Sequence, residues 1–297
     1  FSDTINISNN ADAIILFQVR FPRILLGALT GAALSVAGAI FQALLRNDLA
    51  APFTLGVSSG AALGAVIAIA LNLHVSLLGL PMVPLFAFLG SLGAIILVFS
   101  LVRSRHGEFP TGVLLLAGVT ANFFFAAMVM FIHYLADFGQ SFRIIHWLMG
   151  GLDITNYKTV LSIFPMVFLG TFILMIISRD LNLISTGIHS ASSRGVDVPR
   201  IQKVGFITAS LMTGTVVATS GPIGFVGLIV PHIVRLFVGP DLRILIPACM
   251  LFGASFLVAC DTLARMLLAP TEIPVGIITA ILGGPFFVWL LKRKRQV

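Results

Sequence analysis

The residues that could carry out chemistry in this chain are few, and their spacing decides what each could do. Gly56-Val57-Ser58-Ser59-Gly60 has the Gly-x-Ser-x-Gly form that presents a serine nucleophile for acyl transfer. That motif works only on a sharp turn between a strand and a helix. Here it opens an apolar stretch, where Gly56, Gly60 and Gly64, four apart, suit close packing of one membrane helix on another. Gly27 and Gly31 repeat the spacing in the first apolar stretch. Asp261 and Arg265, at i and i+4, can neutralise each other on one helix face. An ion-coupled carrier needs carboxylates or broken helices at mid-membrane, and one paired aspartate gives that alternative little support. His133 and His232 lie near the ends of apolar stretches and read as capping or packing groups. Cys249 and Cys260 sit within one stretch at a spacing that fits neither a metal site nor an extracellular disulfide framework. The phosphate-cradling Gly-x-x-x-x-Gly-Lys-Ser/Thr pattern is missing, as is any Gly-Lys pair, so the chain cannot bind ATP in that way. None of these sets makes a catalytic, cofactor or metal site.

The elements that must position these residues are unusually apolar. Nine stretches run approximately 21–45, 50–71, 79–102, 110–135, 157–178, 203–220, 222–238, 244–268 and 273–291. Most are near or above the roughly 20 residues a helix needs to cross a hydrocarbon core of about 30 Å. Peptide groups facing lipid must be paired within their own segment, so such a chain crosses as helices. Hydrophobic residues make up 58% of 297 and charged residues 10%, against about 25% charged in soluble domains. The mean hydropathy of +1.07 agrees. A soluble helical protein would need a polar face on each helix, and most of these stretches have none. The reading is an all-α polytopic membrane protein, a single transmembrane domain over residues 1–297 with nine visible transmembrane helices. The seventh stretch is short and holds Pro222 and Pro231, so it should be a tilted or broken span lined by other helices.

The net charge of +7 does not indicate nucleic acid, because the cations are dispersed among the gaps between spans. One set of gaps holds Arg46, Arg103, Arg105, Arg179, Arg194, Arg200, Lys203, Arg235, Arg243 and the tail cations 292–295. The other holds Arg20, Arg23, Arg143, Lys158 and Arg265. Thirteen against five places the richer set, and the C-terminus, in the cytoplasm. Nine spans then put Phe1 outside, and a further span upstream is expected in preference to a cleaved signal peptide. Residues 179–202 form the longest cytoplasmic gap, Ser-rich with three arginines and Pro199 near its end, a length that is usually functional. On the other side, Phe142–Leu152 within the gap 136–156 should form a short interfacial or re-entrant helix, with Trp147 suited to the headgroup region.

Several segments together resemble the FecCD-type permeases, the membrane subunits of type II ABC importers for iron-siderophores, haem and cobalamin. They begin with Arg20-x-Pro22-Arg23, Gly27, Gly31, Gly38, Gln42, Arg46-Asn47-Asp48-Leu49-Ala50-Ala51-Pro52 and Leu55-Gly56-Val57-Ser58. Gly221-Pro222-Ile223-Gly224-Phe225-Val226-Gly227-Leu228, Pro231-His232-Ile233-x-Arg235 and Gly239-x-Asp241-x-Arg243 follow. Gly253-Ala254, Asp261-x-x-x-Arg265, Ile273-Pro274-Val275-Gly276 and Gly283-Gly284-Pro285-Phe286-Phe287 complete the series in order. The resemblance implies ten spans with both ends cytoplasmic, which supports the expected upstream span. It also implies a homodimer around a central path, two separate ATPase subunits carrying ATP and Mg, and a periplasmic or extracellular substrate-binding protein. The location implied is a bacterial or archaeal cytoplasmic (inner) membrane.

Site residues follow from the same resemblance. Arg20, Arg23 and Arg265 match arginines that meet acidic residues on the binding protein. Gly187, Ala191, Gly195 and Val196 match the segment that couples to the ATPase, whereas Ile188 and His189 stand for the family's Glu pair and Arg194 for its Leu. Thr111, Thr120 and Asn122 on the 110–135 span and Thr279 on the last span are candidates to line the path, with 106–111 as a cytoplasmic gate. The cargo implied is a metal chelate, with a small oxyanion such as molybdate as the alternative.

Overall fold

The computed structural model describes residues 14–73, 81–102, 111–153 and 157–294. Phe1 and whatever precedes it, most of the expected 106–111 gate and residues 295–297 lie outside that set. Twelve α-helices and no strand occur among the described residues. A π-helical lead-in, Ile15–Arg20, continues into α1 (Phe21–Leu45), and a 3-10 turn, Pro52–Leu55, precedes α2 (Val57–Ala70). Then come α3 (Met82–Val102), α4 (Thr111–Leu135), α5 (Phe138–Met149) and α6 (Tyr157–Ile176). Next are α7 (Ser178–Thr186), α8 (Ile188–Ser193), α9 (Val198–Ser220), α10 (Val226–Val238), α11 (Leu242–Leu267) and α12 (Val275–Lys294).

All nine apolar stretches are helical, but they are not equivalent. Ile15–Leu45, α3, α4, α6, α9 and α11 are long and apolar enough to cross a membrane, whereas α2, α10 and Val275–Val288 of α12 are apolar but shorter. In the seventh stretch the break falls before α10. Residues 221–224 are not helical, and Phe225 caps α10 with a left-handed φ of 66°. Pro222 lacks an N–H and cannot extend a helix backwards.

Helix α1 is the axis of the fold, packed by α11, α9, α10 and α6. Its small residues let backbones touch: Gly38 lies on Gly227 of α10, and Gly31 lies on Gly253 of α11. Gly60 and Gly64 of α2 meet Gly90 and Phe86 of α3 in the same manner. The Gly56–Gly60 segment is therefore a helix-packing notch. Ser58 is buried on α2 with no strand beside it, which removes the nucleophile reading. By contrast α6 turns Leu161, Phe164, Phe168 and Phe172 outward as an exposed apolar stripe.

The short helix expected within 142–152 is α5, which starts earlier at Phe138 and ends at Met149. Asp137 caps it reciprocally, accepting from Gln140 N (2.7 Å) while its own N–H donates to Gln140 Oε1 (3.1 Å). Gln140 Nε2 also donates to Ala70 O (3.0 Å), which ties α5 across the end of α2.

Candidate functional site

At one end of the bundle, α1, α11 and the 268–274 turn bring four charges together. Arg23 Nε and Nη2 form a fork on the Asp261 carboxylate (3.1 and 2.9 Å). The remaining nitrogen, Nη1, donates to Glu272 Oε2 at 2.7 Å. Arg265 Nε stands 3.3 Å from Asp261 Oδ2, within ion-pair range but without hydrogen-bond geometry. The side chains of Arg23 and Asp261 are 9% and 4% exposed, and that of Glu272 is 53% exposed. A guanidinium suits this arrangement because it stays charged and grips carboxylates in a planar fork.

Two of the three Arg23 nitrogens are committed to Asp261 inside the protein and the third to Glu272. Arg265 shares Asp261 in part, as the i, i+4 spacing suggests. Arg20, on the π-helical lead-in, is exposed and pairs with no described carboxylate. Glu272 was not anticipated. Its one signal in the sequence is that it is the only acidic residue after Asp261, in a segment placed beside cations.

At the opposite end, residues 178–193 hold two short helices. Helix α7 buries Leu181 and Ile184 against the bundle, and α8 buries Ala191. Asn182 holds this pair in place: its amide donates to Asp241 Oδ1 (2.6 Å) while its Oδ1 accepts from Leu242 N (2.9 Å). Asp241 caps α11, and its hydrogen bonds with the Arg243 side chain hold its carboxyl well below the usual carboxylate range. A lowered folded value means stabilisation present above the ordinary carboxylate range and lost progressively as pH falls from that range towards the low value. Acidification into the ordinary carboxylate range should therefore leave this clamp charged. Beside it, Arg235 donates to Asp48 Oδ1 and Gln42 Oε1 (both 2.8 Å), closing the turn after α1 onto α10.

Helix α8 ends in a left-handed glycine. Gly195 N donates to Ser192 O (3.0 Å) and Val196 N to Ala191 O (3.1 Å), with Gly195 at φ +82°. Arg194 and Gly195 are exposed, Gly187 and Val196 partly so, and Ala191 is fully buried.

A cavity of about 570 Å³ opens beside the break before α10, lined by residues that include Phe53, Met149, Phe225, Gly276, Ala280 and Ile281. No charged side chain lines it. Gly276 N donates to Gly150 O (3.1 Å), which joins the first turn of α12 to the segment after α5. The path candidates are not brought together within one chain, since no substantial packing joins α4 and α12. Thr120 is exposed, with its hydroxyl donating to Leu116 O (2.8 Å), and Asn122 is half-buried. Thr111 opens α4. Thr279 is a correction: it is fully buried and donates to Gly276 O (3.0 Å), so its neighbours Ala280 and Ile281 face the cavity in its place. A threonine that bonds its own helix can sit in an apolar contact and offers no free hydroxyl.

Residues 1–293 match the FecCD transport family. The chain is 44% identical over 285 residues to the cobalamin import system permease protein BtuC of Halobacterium salinarum, covering 96% of this chain and 74% of that protein. It is 40% identical over 291 residues to the hemin transport system permease protein HmuU of Yersinia pestis, covering 97% and 86%. Among solved structures, one described as an inward-facing conformation of an ABC transporter assigned to the metal-chelate type shares 33% identity and a TM-score of 0.86. It covers 96% of this chain and 90% of that one.

Proposed function

The chain belongs to the FecCD transport family, and from that premise we propose that it is the membrane permease subunit of an ABC importer carrying a metal chelate, haem or cobalamin. Two copies form the path, separate subunits hydrolyse ATP at the α7–α8 end, and a substrate-binding protein docks at the Arg23 end. The observation that supports this reading best is the polarity of the bundle. One end presents a braced helical knob fit for a protein partner, and the other presents Arg20 beside an ion cluster. Between them lies an apolar cavity at a helix break. Nothing in the relatives named above favours the oxyanion alternative, whereas cobalamin, hemin and metal chelates appear among them.

In this reading the α7–α8 end is cytoplasmic and the Arg23 end faces outward, following the cation asymmetry. Thr271 and Ser193 are exposed at the two ends, and the native Cys249 and Cys260 are buried. With Thr271→Cys, an impermeant maleimide should label intact cells. With Ser193→Cys, labelling should require permeabilised cells. Equal labelling of both in intact cells contradicts the orientation.

The cargo is tested in cells lacking the chain, by following labelled ferric chelate, haem and cobalamin. Uptake of one of the three should be lost, restored by the gene, and survive ionophores that collapse ion gradients while ATP is maintained. Unchanged uptake of all three rejects the proposed cargo class.

A further inference from the structure

The ion cluster at the Arg23 end is divided into a fixed half and an exchangeable half. Asp261 is buried on α11, and two Arg23 nitrogens grip it. Glu272 is half-exposed on the turn after α11 and touches Arg23 only through Nη1. A charge pair with one solvated partner is weakly held, because water competes for the carboxylate and salt screens it. The charges of Arg23, Arg265, Asp261 and Glu272 cancel. Without Glu272 the same group carries one net positive charge, directed outward through the nitrogen that Glu272 had covered.

We propose that Glu272 is a built-in stand-in for a partner's carboxylate: it caps Arg23 Nη1 in the free permease and is displaced when an acidic side chain of the substrate-binding protein docks. This rests on the docking reading above and deepens it. In the exchange one carboxylate leaves Nη1 and another takes its place, so Arg23 stays paired in both states and Asp261 is never left alone. The arrangement explains how a nearly buried arginine can serve a docking face. The exchange also has a mechanical consequence. Glu272 stands three residues before Val275, where α12 begins, and the first turns of α12 wall the apolar cavity through Gly276, Ile277, Ala280 and Ile281. Displacing Glu272 therefore loosens the turn from which the cavity wall is hung.

The test measures the affinity of the assembled importer, in nanodiscs, for its cognate substrate-binding protein at low and physiological salt. Glu272→Gln removes the competing charge at nearly constant volume and should lower Kd roughly two- to five-fold, the size of effect expected of one exposed charge pair. Glu272→Asp keeps the charge but shortens its reach and should lie between Glu272→Gln and the natural residue. Arg20→Glu, which leaves the cluster untouched, reports on docking by itself. If Arg20→Glu weakens binding while Glu272→Gln leaves it unchanged or weaker, the exchange is wrong and docking at this face survives. If neither substitution changes binding, both readings fall together. Tightening by Glu272→Gln that equals tightening by Glu272→Asp also overturns the exchange, because loss of contact at Nη1 alone would then account for it.

Discussion

Replacing Gly38 with leucine is expected to abolish accumulation of the folded chain, by at least ten-fold relative to the natural residue. Gly38 sits mid-way along α1, where even a Cβ would run into the backbone of Gly227 on α10. Gly227 in turn faces Leu34 O and Gly38 Cα of α1 and Pro52 Cδ beyond it, so the two backbones lie against each other over a full turn. Ordinary overpacking of a core costs roughly 1–3 kcal/mol because side chains can shift. Here the obstacle is backbone, and relief requires separating two helices that both pack against α11. Association of helices in lipid depends on such close approach, since the lipid itself offers no hydrophobic drive. Membrane-fraction immunoblotting and detergent gel filtration read the outcome. A Gly38→Leu protein present at normal level as a monodisperse species would contradict the described α1–α10 contact. Gly224, which has open space at its Cβ, is the matched control: Gly224→Ala should accumulate normally.

The second large effect is expected at Gly195, where structure and function can be separated. Gly195 has φ +82° and open space around the site of a Cβ. An alanine there meets only backbone strain, about 1–2 kcal/mol for an L-residue in a left-handed conformation, with no clash. Gly195→Ala should therefore leave assembly and uptake within about two-fold of normal. Gly195→Trp adds the same strain and a large side chain projecting beside α8. If α7 and α8 seat in a groove of the ATPase, uptake should fall at least ten-fold and the ATPase should dissociate during purification, while the permease accumulates normally. Equal, mild effects of Ala and Trp would show that nothing docks on this surface and that α8 only connects α7 to α9.

The difference between these two glycines shows how much the sequence could disclose. Both belong to recognisable patterns, but the partner of Gly38 lies on α10, nearly two hundred residues along the chain, and only the fold brings it there. The nine apolar runs were legible because each helix buries its peptide groups within itself, so length and composition suffice. The break before α10 was legible in part from Pro222, whereas the left-handed Phe225 that completes it carries no local signal. In the ion cluster, the Asp261–Arg265 pairing follows from helix periodicity. The stronger Arg23–Asp261 fork joins residues at opposite ends of the sequence, and no local pattern discloses it. Thr279 misled in the reverse direction, because a hydroxyl that bonds its own helix is indistinguishable in sequence from one that faces a path. Asn182, which clamps α7 to the start of α11, was hidden for the same long-range reason.

The most direct measurement is transport by the purified assembly. The chain, its ATPase subunits and its substrate-binding protein are placed in proteoliposomes with the Arg23 end outward, the cargo bound to the binding protein outside and ATP enclosed. Cargo should accumulate inside only when ATP, Mg and the binding protein are all present, and imposed proton or sodium gradients should not replace ATP. Accumulation that proceeds without ATP and follows an imposed ion gradient would contradict the account.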